Sequence, residues 1–310
     1  MKKRILVVSS ANIDFVQRVS RLPERGETII SDGDCDYIPG GKGANSALAF
    51  ARLGADTVFC AKLGRDENAK KLKRLYASEK LDTRFLFEDK DAPTGLASII
   101  VEEESGANRI IVYPGANARL KEADVEEAFN CYPDGVFVQF EIPDNAVLAC
   151  AEFAREKGIP LFVDAGPARA DFPLSELGKV EIFSPNETEC EILTGIRPDS
   201  LESCLKASIR LAGATNAKYV VLKLGHRGSF VYDGKYYNIV PAHKVNVADT
   251  TAAGDVFTAA LSYAYLQKGD ILEAARFATL AASICVSRPG ASTSIPTLKE
   301  VKEFAQKIKK

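Results

Sequence analysis

The segment Asp249-Thr250-Thr251-Ala252-Ala253-Gly254-Asp255 closes an irregular polar stretch and opens an apolar-periodic helix that runs to Gln267. Small residues before a helix let backbone N–H groups approach an anion closely. The helix N-terminus adds unpaired donors and the positive end of the macrodipole. Asp255 falls in that first turn, beside the place an anion would occupy. An anion cradle next to a carboxylate that can take a hydroxyl proton is minimal equipment for phosphorylating an alcohol. The same segment also satisfies purely structural preferences, because Asp is favoured in first helical turns.

Four further segments carry residue types suited to polar ligands. Pro39-Gly40-Gly41-Lys42-Gly43-Ala44-Asn45 opens a helix, and its glycines allow close backbone approach. Its spacing is neither that of a Walker loop nor GxGxxG. Lys42 and Asn45 make a sugar-hydroxyl site one reading, and a capped turn the other. Asn12-Ile13-Asp14 is read as the end of the first strand, and Glu141 as the end of the strand Val136–Phe140. Ligands of open α/β sheets bind outside the C-terminal ends of strands, where amides and carboxylates can pair with hydroxyls that donate and accept. Asn186-Glu187-Thr188-Glu189 has the form of a capping box, a complete structural explanation by itself; Glu189 and Asn186 could also hold Mg²⁺ through water. Lys223-Leu224-Gly225-His226-Arg227-Gly228 reads as a hairpin turn or a nucleotide loop.

The elements that position these residues alternate. Expected buried strands are Ile5–Ser9, Thr57–Ala61, Val136–Phe140, Pro160–Asp164, Glu181–Ser184 and Tyr219–Lys223. Helices are expected near Asn45–Leu53, Glu67–Ser78, Lys121–Asn130, Asn145–Lys157 and Leu201–Leu211. That order predicts an α/β fold with a mostly parallel central sheet and helices on both faces. Two interruptions do not fit a parallel sheet. Thr28–Tyr37 reads as extended, and Leu96–Val101 and Arg109–Tyr113 flank a hairpin-like turn at residues 102–106. They predict a small antiparallel β lid, formed by about 13–38 and 95–113, on a single domain of residues 1–310. An exposed lid sheet has edges and apolar surface, so pairing with a second subunit is expected. The last third is helical: Asp255–Gln267, Ile271–Val286 and Thr297–Lys309, the last with the stripe Leu298, Val301, Phe304 and Ile308.

Composition narrows the partners. A net charge of −2 and a pI near 5.9 give no reason to expect nucleic acid or an anionic membrane surface. Seven cysteines without a Cys-x-x-Cys pair, and only His226 and His243, argue against a zinc site and for reduced thiols in a cytoplasmic protein. The apolar run after Met1-Lys2-Lys3-Arg4 stops at Ser9, too short for a signal peptide, and no run approaches a transmembrane span.

Taken together, these segments resemble the ribokinase-like (PfkB-type) sugar kinase family over essentially the whole chain and in the same order. Gly40-Gly41-Lys42-Gly43-Ala44-Asn45 resembles the family's first signature and Asp249 to Asp255 its second. Pro114-Gly115-Ala116-Asn117-Ala118, Ser184 to Glu189, and Pro289-Gly290-Ala291 with Ser294 are similar to further family segments. The resemblance implies ATP- and Mg²⁺-dependent phosphoryl transfer to the 5-hydroxyl of D-ribose, in a dimer formed through the β lid. It implies Asp255 as catalytic base, with the N–H groups of Ala252, Ala253 and Gly254 as anion hole. Asn12, Asp14, Gly41, Lys42, Gly43, Asn45 and Glu141 would hold the sugar. Asn186, Lys223, Leu224, Gly225, Gly228 and Thr279 would hold the nucleotide, with Glu189 supporting Mg²⁺. An activating K⁺ is implied at Asp249, Thr251, Ser294 and carbonyls near Cys285, Arg288 and Gly290.

One departure stands out: family loops usually carry Thr where this chain has Lys223, which bears on nucleotide selectivity. Two alternatives stay open. One is a kinase of the same family acting on deoxyribose, fructose, a sugar acid or a nucleoside; the motif residues supply no aromatic platform for a base. The other is a non-catalytic sugar-binding protein, which the presence of both Gly254 and Asp255 opposes. A dinucleotide dehydrogenase lacks the GxGxxG it would need after the first strand.

Overall fold

A computed structural model describes residues 2–31, 33, 35–102 and 108–308. Along the chain run β1 (Arg4–Val8), β2 (Asn12–Val19), β3 (Asp36–Gly40), α1 (Lys42–Arg52), β4 (Asp56–Leu63) and α2 (Glu67–Ser78). Next come β5 (Leu86–Glu88), β6 (Gly95–Glu102), β7 (Asn108–Tyr113), α3 (Glu122–Ala128), β8 (Gly135–Gln139), α4 (Asp144–Glu156) and β9 (Leu161–Asp164). Then follow β10 (Val180–Ser184), α5 (Glu187–Thr194), α6 (Leu201–Thr215), β11 (Ala217–Lys223), β12 (Ser229–Tyr232) and β13 (Tyr237–Val240). Three helices end the chain: α7 (Ala253–Lys268), α8 (Ile271–Val286) and α9 (Leu298–Lys307). Lys309, expected in the last helix, lies outside the described residues.

The main sheet has the order β13-β12-β11-β10-β9-β8-β1-β4-β5. All pairings from β5 to β11 are parallel, and β12 and β13 continue the edge antiparallel. Its strands are apolar on both sides because helices cover both faces. In β1, Ile5 and Val7 enter one core layer, with buried residues of α1, α7 and α8, while Leu6 and Val8 enter the other, with residues of α3, α4 and α6. Pleating sends successive side chains to opposite faces, so one strand serves two cores.

The smaller sheet has the order β3-β2-β6-β7. Its outer pairings are antiparallel and its central pairing, β2 with β6, is parallel over Asn12–Val19. Two sequence expectations change here. The first strand ends at Val8, and Asn12 begins a second strand instead of ending the first. The chain kinks at buried Ser9-Ser10-Ala11, and Asn117 pins the kink: its Oδ1 accepts the Ala11 N–H at 3.0 Å, and its amide donates to Ala11 O at 3.2 Å and Asn12 Oδ1 at 2.7 Å. Among the described residues of the extended segment expected over Thr28–Tyr37, only Asp36 and Tyr37 join a strand. The turn expected between β6 and β7 falls largely on residues 103–107, outside the described residues.

Candidate active site

Polar residues collect where the C-terminal ends of the main strands meet the N-termini of α1 and α7. Strands β8, β9, β10 and β11 each end an apolar run on one polar residue: Gln139, Asp164, Ser184 and Lys223, all buried. Gln139 and Asp164 are register partners, as are Asp164 and Ser184.

The turn at 249–255 starts α7 as expected. Its N-cap, Ala252, has φ +61°, a left-handed conformation that costs a non-glycine residue about 1 kcal/mol or more. The Ala253 N–H donates to Thr250 O at 3.2 Å, whereas no acceptor among the described residues takes the N–H of Ala252 or Gly254. A strained cap that leaves donors open at a helix N-terminus is chemically able to take an anion.

Asp255 follows in the first turn, buried. The Asn45 amide donates to its Oδ2 at 2.9 Å, and the Gln139 amide approaches Oδ1 at 3.4 Å. Ser9 Oγ donates to Gln139 Oε1 at 3.1 Å, which turns the Gln139 NH₂ toward Asp255. Burial pushes the Asp255 carboxyl up to about 6, against Lys42, Asn45 and Lys223, which favour its charged form. The Lys42 ammonium is held protonated first by Asp255, then by Asp164, Glu141 and Glu189, against the effect of burial. Asp14 is raised to about 7 by burial, then by Glu141 and Asp255.

The glycines around this cluster are matched to it. A Cβ at Gly43 would lie 2.5 Å from Ser9 Oγ and 2.6 Å from the Ser10 nitrogen, and one at Gly40 would overlap the Asp14 carboxylate. Gly41, at φ +91°, passes close against the Asn12 backbone. Glu141 lies just beyond β8 and serves α1: its Oε2 accepts the Lys42 N–H at 3.2 Å and the Ser10 hydroxyl. Asn45 Oδ1 is buried without a partner, an acceptor aimed into the same space.

Asn186 and Glu189 form the expected capping box of α5, with reciprocal bonds of 2.8 and 2.7 Å. The Glu189 carboxyl is raised, chiefly by burial. A Cβ at Gly166 would lie 2.6 Å from Glu189 Oε1, so the chain runs tight against this carboxylate. Lys223 Nζ donates to Asp164 Oδ1 at 2.7 Å and Thr258 Oγ1 at 3.2 Å, and lies 3.9 Å from Glu189 Oε2. Residues 224–228 close on themselves: Leu224 N–H to Gly228 O at 2.8 Å and Gly228 N–H to Gly225 O at 3.0 Å. Thr279 stands apart, buried in α8 with its hydroxyl bonded to Ala275 O at 2.8 Å.

The segments expected around a monovalent cation do meet. Asp249 Oδ1 accepts the Thr251 N–H and hydroxyl at 2.9 and 2.6 Å, and Oδ2 accepts the Gly290 N–H at 2.9 Å. Burial opposes the charge on Asp249, yet these bonds hold its carboxyl below the usual range. Ser294 Oγ lies 3.1 Å from Cys285 Sγ and donates to Ala291 O at 2.8 Å. The Arg288 guanidinium turns away to donate to Glu300 at 2.6 Å, and the Arg288 backbone N–H donates to Cys285 O at 3.1 Å.

Sequence reading missed Ser9, Ser10, Gln139, Asp164 and Thr258. Gln139, Asp164 and Thr258 are each one polar residue in an apolar run, and Ser9 and Ser10 are an adjacent polar pair after β1. The available signal was the repeated pattern of strands that end on a buried polar residue.

Residues 2–298 match the profile described as pfkB family carbohydrate kinase. The chain is 36% identical over 310 residues to a ribokinase of Haemophilus influenzae, covering 99% of each chain. It is 34% identical over 306 residues to a ribokinase of Staphylococcus aureus, covering 98% of this chain and all of that one. It is similar to the structure of Arabidopsis thaliana ribokinase complexed with ribose and ATP: TM-score 0.89, 32% identity, 98% of this chain and 99% of that one. The match spans both sheets and every segment of the polar cluster, and the chain belongs to the pfkB family of carbohydrate kinases.

Proposed function

We propose that the chain transfers the γ-phosphoryl group of ATP to the 5-hydroxyl of D-ribose, giving ribose 5-phosphate and ADP, with Asp255 as general base. The observation that carries this reading is the position of Asp255: buried, held by Asn45, in the turn where Ala252 and Gly254 keep open N–H groups. Relatives that are ribokinases, one solved with ribose and ATP, support the same substrates.

Asn12, Asp14, Lys42 and Asn45, with the close backbone at Gly41 and Gly43, orient the sugar through hydroxyl hydrogen bonds. Glu141 holds the N-terminus of α1, which carries Lys42 and Asn45. The hydroxyl oxygen attacks the γ-phosphorus as its proton passes to the Asp255 carboxylate. The bond from that phosphorus to the β,γ-bridging oxygen breaks, and ADP leaves. The open N–H groups and the α7 dipole offset charge on the phosphoryl oxygens. The smaller sheet acts as a lid that excludes water, a competing acceptor. Asn186, Leu224, Gly225 and Gly228 frame the nucleotide, with Thr279 farther out.

Two cations fit the donor sets. Buried Asp164 Oδ2 has no partner, and with Glu189 it offers the hard oxygens Mg²⁺ takes directly or through water. Asp249, Thr251, Ser294 and nearby carbonyls are all-oxygen donors suited to K⁺. Bound there, the ions would neutralise phosphate charge and brace the 249–255 turn.

The lid also suggests a homodimer. All of β7 is exposed at a sheet edge, including Ile110, Ile111, Val112 and Tyr113. A bare apolar edge strand invites a second copy. No helix among the described residues is long and apolar enough to cross a membrane, and all seven cysteines are free, which suits a cytoplasmic enzyme.

The test is ADP release with ATP·Mg²⁺ against D-ribose, 2-deoxyribose, fructose, a ketogluconate and adenosine, each with and without K⁺. Preference for ribose is expected. Preference for another acceptor discards ribose and keeps the kinase.

A further inference from the structure

The Lys223–Asp164 pair is too buried and too incompletely satisfied for a surface ornament. The side chains are 10% and 3% exposed. Burying two charges costs several kcal/mol per ion and is recovered only when the remaining polar atoms are bonded. Here they are not. Asp164 Oδ2 is buried without a partner. Of the three ammonium N–H groups, two are used, on Asp164 Oδ1 at 2.7 Å and Thr258 Oγ1 at 3.2 Å. Glu189 Oε2, at 3.9 Å, is beyond hydrogen-bond distance.

The ammonium is also placed where an anion is expected. A Cβ at Gly254 would lie 3.7 Å from Lys223 Nζ, so the cation flanks the first turn of α7. Thr258, which accepts from Nζ, donates its own hydroxyl to Gly254 O at 3.1 Å. Lysine, carboxylate and the Gly254 carbonyl are thus joined through Lys223 and Thr258, beside the open Gly254 N–H.

We propose that Lys223 is a built-in counter-cation for the transferring phosphoryl group, held beside Gly254 by Asp164 and Thr258. Its spare N–H binds a non-bridging γ-phosphate oxygen. This rests on the reading of 252–255 as the phosphoryl site, and it gives γ-phosphate affinity that persists without a divalent ion.

The experiment is calorimetric binding, in EDTA, of β,γ-methylene-ATP and of ADP to the full chain and to Lys223→Met/Asp164→Asn. The double variant removes both charges, so no unpaired carboxylate is left buried. The expected result is at least about tenfold weaker binding of the ATP analogue, the worth of one charged hydrogen bond. ADP affinity should change less than about threefold by the same arithmetic. Equal losses for both nucleotides would put the ammonium on the β-phosphate and overturn the proposal. No loss for either would make the pair structural and overturn it equally. Lys223→Gln, which can still donate to Asp164, gives the same contrast if the double variant does not fold. Turnover of Asp255→Asn separates the two readings. Wild-type-like turnover there removes the site assignment itself, whereas lost turnover with unchanged analogue binding in the Lys223 variants removes only this proposal.

Discussion

The Asn45 amide donates to Asp255 Oδ2 at 2.9 Å, joining the first turns of α1 and α7 across 210 residues of sequence. One side of the Asn45 amide therefore holds the Asp255 carboxylate, while its buried Oδ1 is left for another donor. A sugar hydroxyl bonded to that oxygen would sit beside the carboxylate proposed to take its proton. Burial raises Asp255 to about 6, and the Asn45 bond pulls it back toward the charged form. With sugar saturating, kcat is thus expected to be level at neutral pH and to fall about tenfold per pH unit well below about 6. Asn45→Leu removes the bond that favours the carboxylate, so the acid limb should move to higher pH. Asp255→Asn should lower kcat by on the order of 10²–10⁴ with sugar binding largely kept. A profile flat to pH 4.5 in the wild type would take the base role from Asp255.

Gly40→Ala probes the sugar side without removing a polar side chain. The added Cβ would overlap the Asp14 carboxylate, so Asp14 must leave its position. Gly40 is at the end of β3, paired with Asn12 and one residue before Gly41, the N-cap of α1. We expect Gly40→Ala to raise KM for the sugar by about tenfold or more, as for loss of one charged hydrogen bond. ATP affinity should be nearly unchanged. A variant with ordinary sugar KM would show that Asp14 does not meet the sugar.

Much of this was legible from residue order, and the illegible parts share one cause. β4, β8, β9 and β10 announce themselves as apolar runs, because strands covered on both faces have no polar alternation. The cap of α5 lies at the expected residues because capping chemistry is local, whereas α7 starts at Ala253, two residues before the expected Asp255, on a cap that makes no side-chain bond. β2 was not legible: it follows β1 after only Ser9-Ser10-Ala11, with no Gly or Pro, and what turns the chain there is Asn117 from 106 residues away. Asp164 and Lys223 likewise gain meaning only from each other, across 59 residues. Long-range pairing, not propensity, decides such positions.

Asp14 should set a pH-dependent stability in the ligand-free protein. Its folded value is about 7, against about 3.9 for an unfolded carboxyl. A raised folded value means stability that is full below about pH 3.9 and is lost as pH rises through about 7. Asp14→Asn removes that loss. Its melting midpoint should match wild type near pH 4 and exceed it increasingly up to pH 8. The upper bound is on the order of a few kcal/mol, since a tenfold difference in proton affinity between the folded and unfolded chain is worth about 1.4 kcal/mol. The same variant should bind sugar more weakly, a trade of stability for function. A midpoint difference independent of pH would mean that Asp14 is not raised by burial.

Ala252 tests the anion turn through its backbone alone. At φ +61° its Cβ meets the penalty of the left-handed region, which glycine avoids. Ala252→Gly relieves that strain but adds freedom to the unfolded chain, roughly 0.4–1 kcal/mol in the opposite direction. Stability should therefore change by less than about 1 kcal/mol, and turnover should remain within a few-fold of wild type. Ala252→Val adds a β-branched side chain to a conformation such residues rarely tolerate. The chain would escape by rotating φ, which carries the Ala252 and Gly254 N–H groups out of alignment. Loss of those donors should cost about 10²-fold or more in kcat, the scale for removing one oxyanion donor. Sugar affinity should survive, because the proposed sugar contacts lie mainly on β2 and α1. If Ala252→Val folds and turns over normally, the open N–H groups of this turn do not stabilise the transferring phosphoryl group.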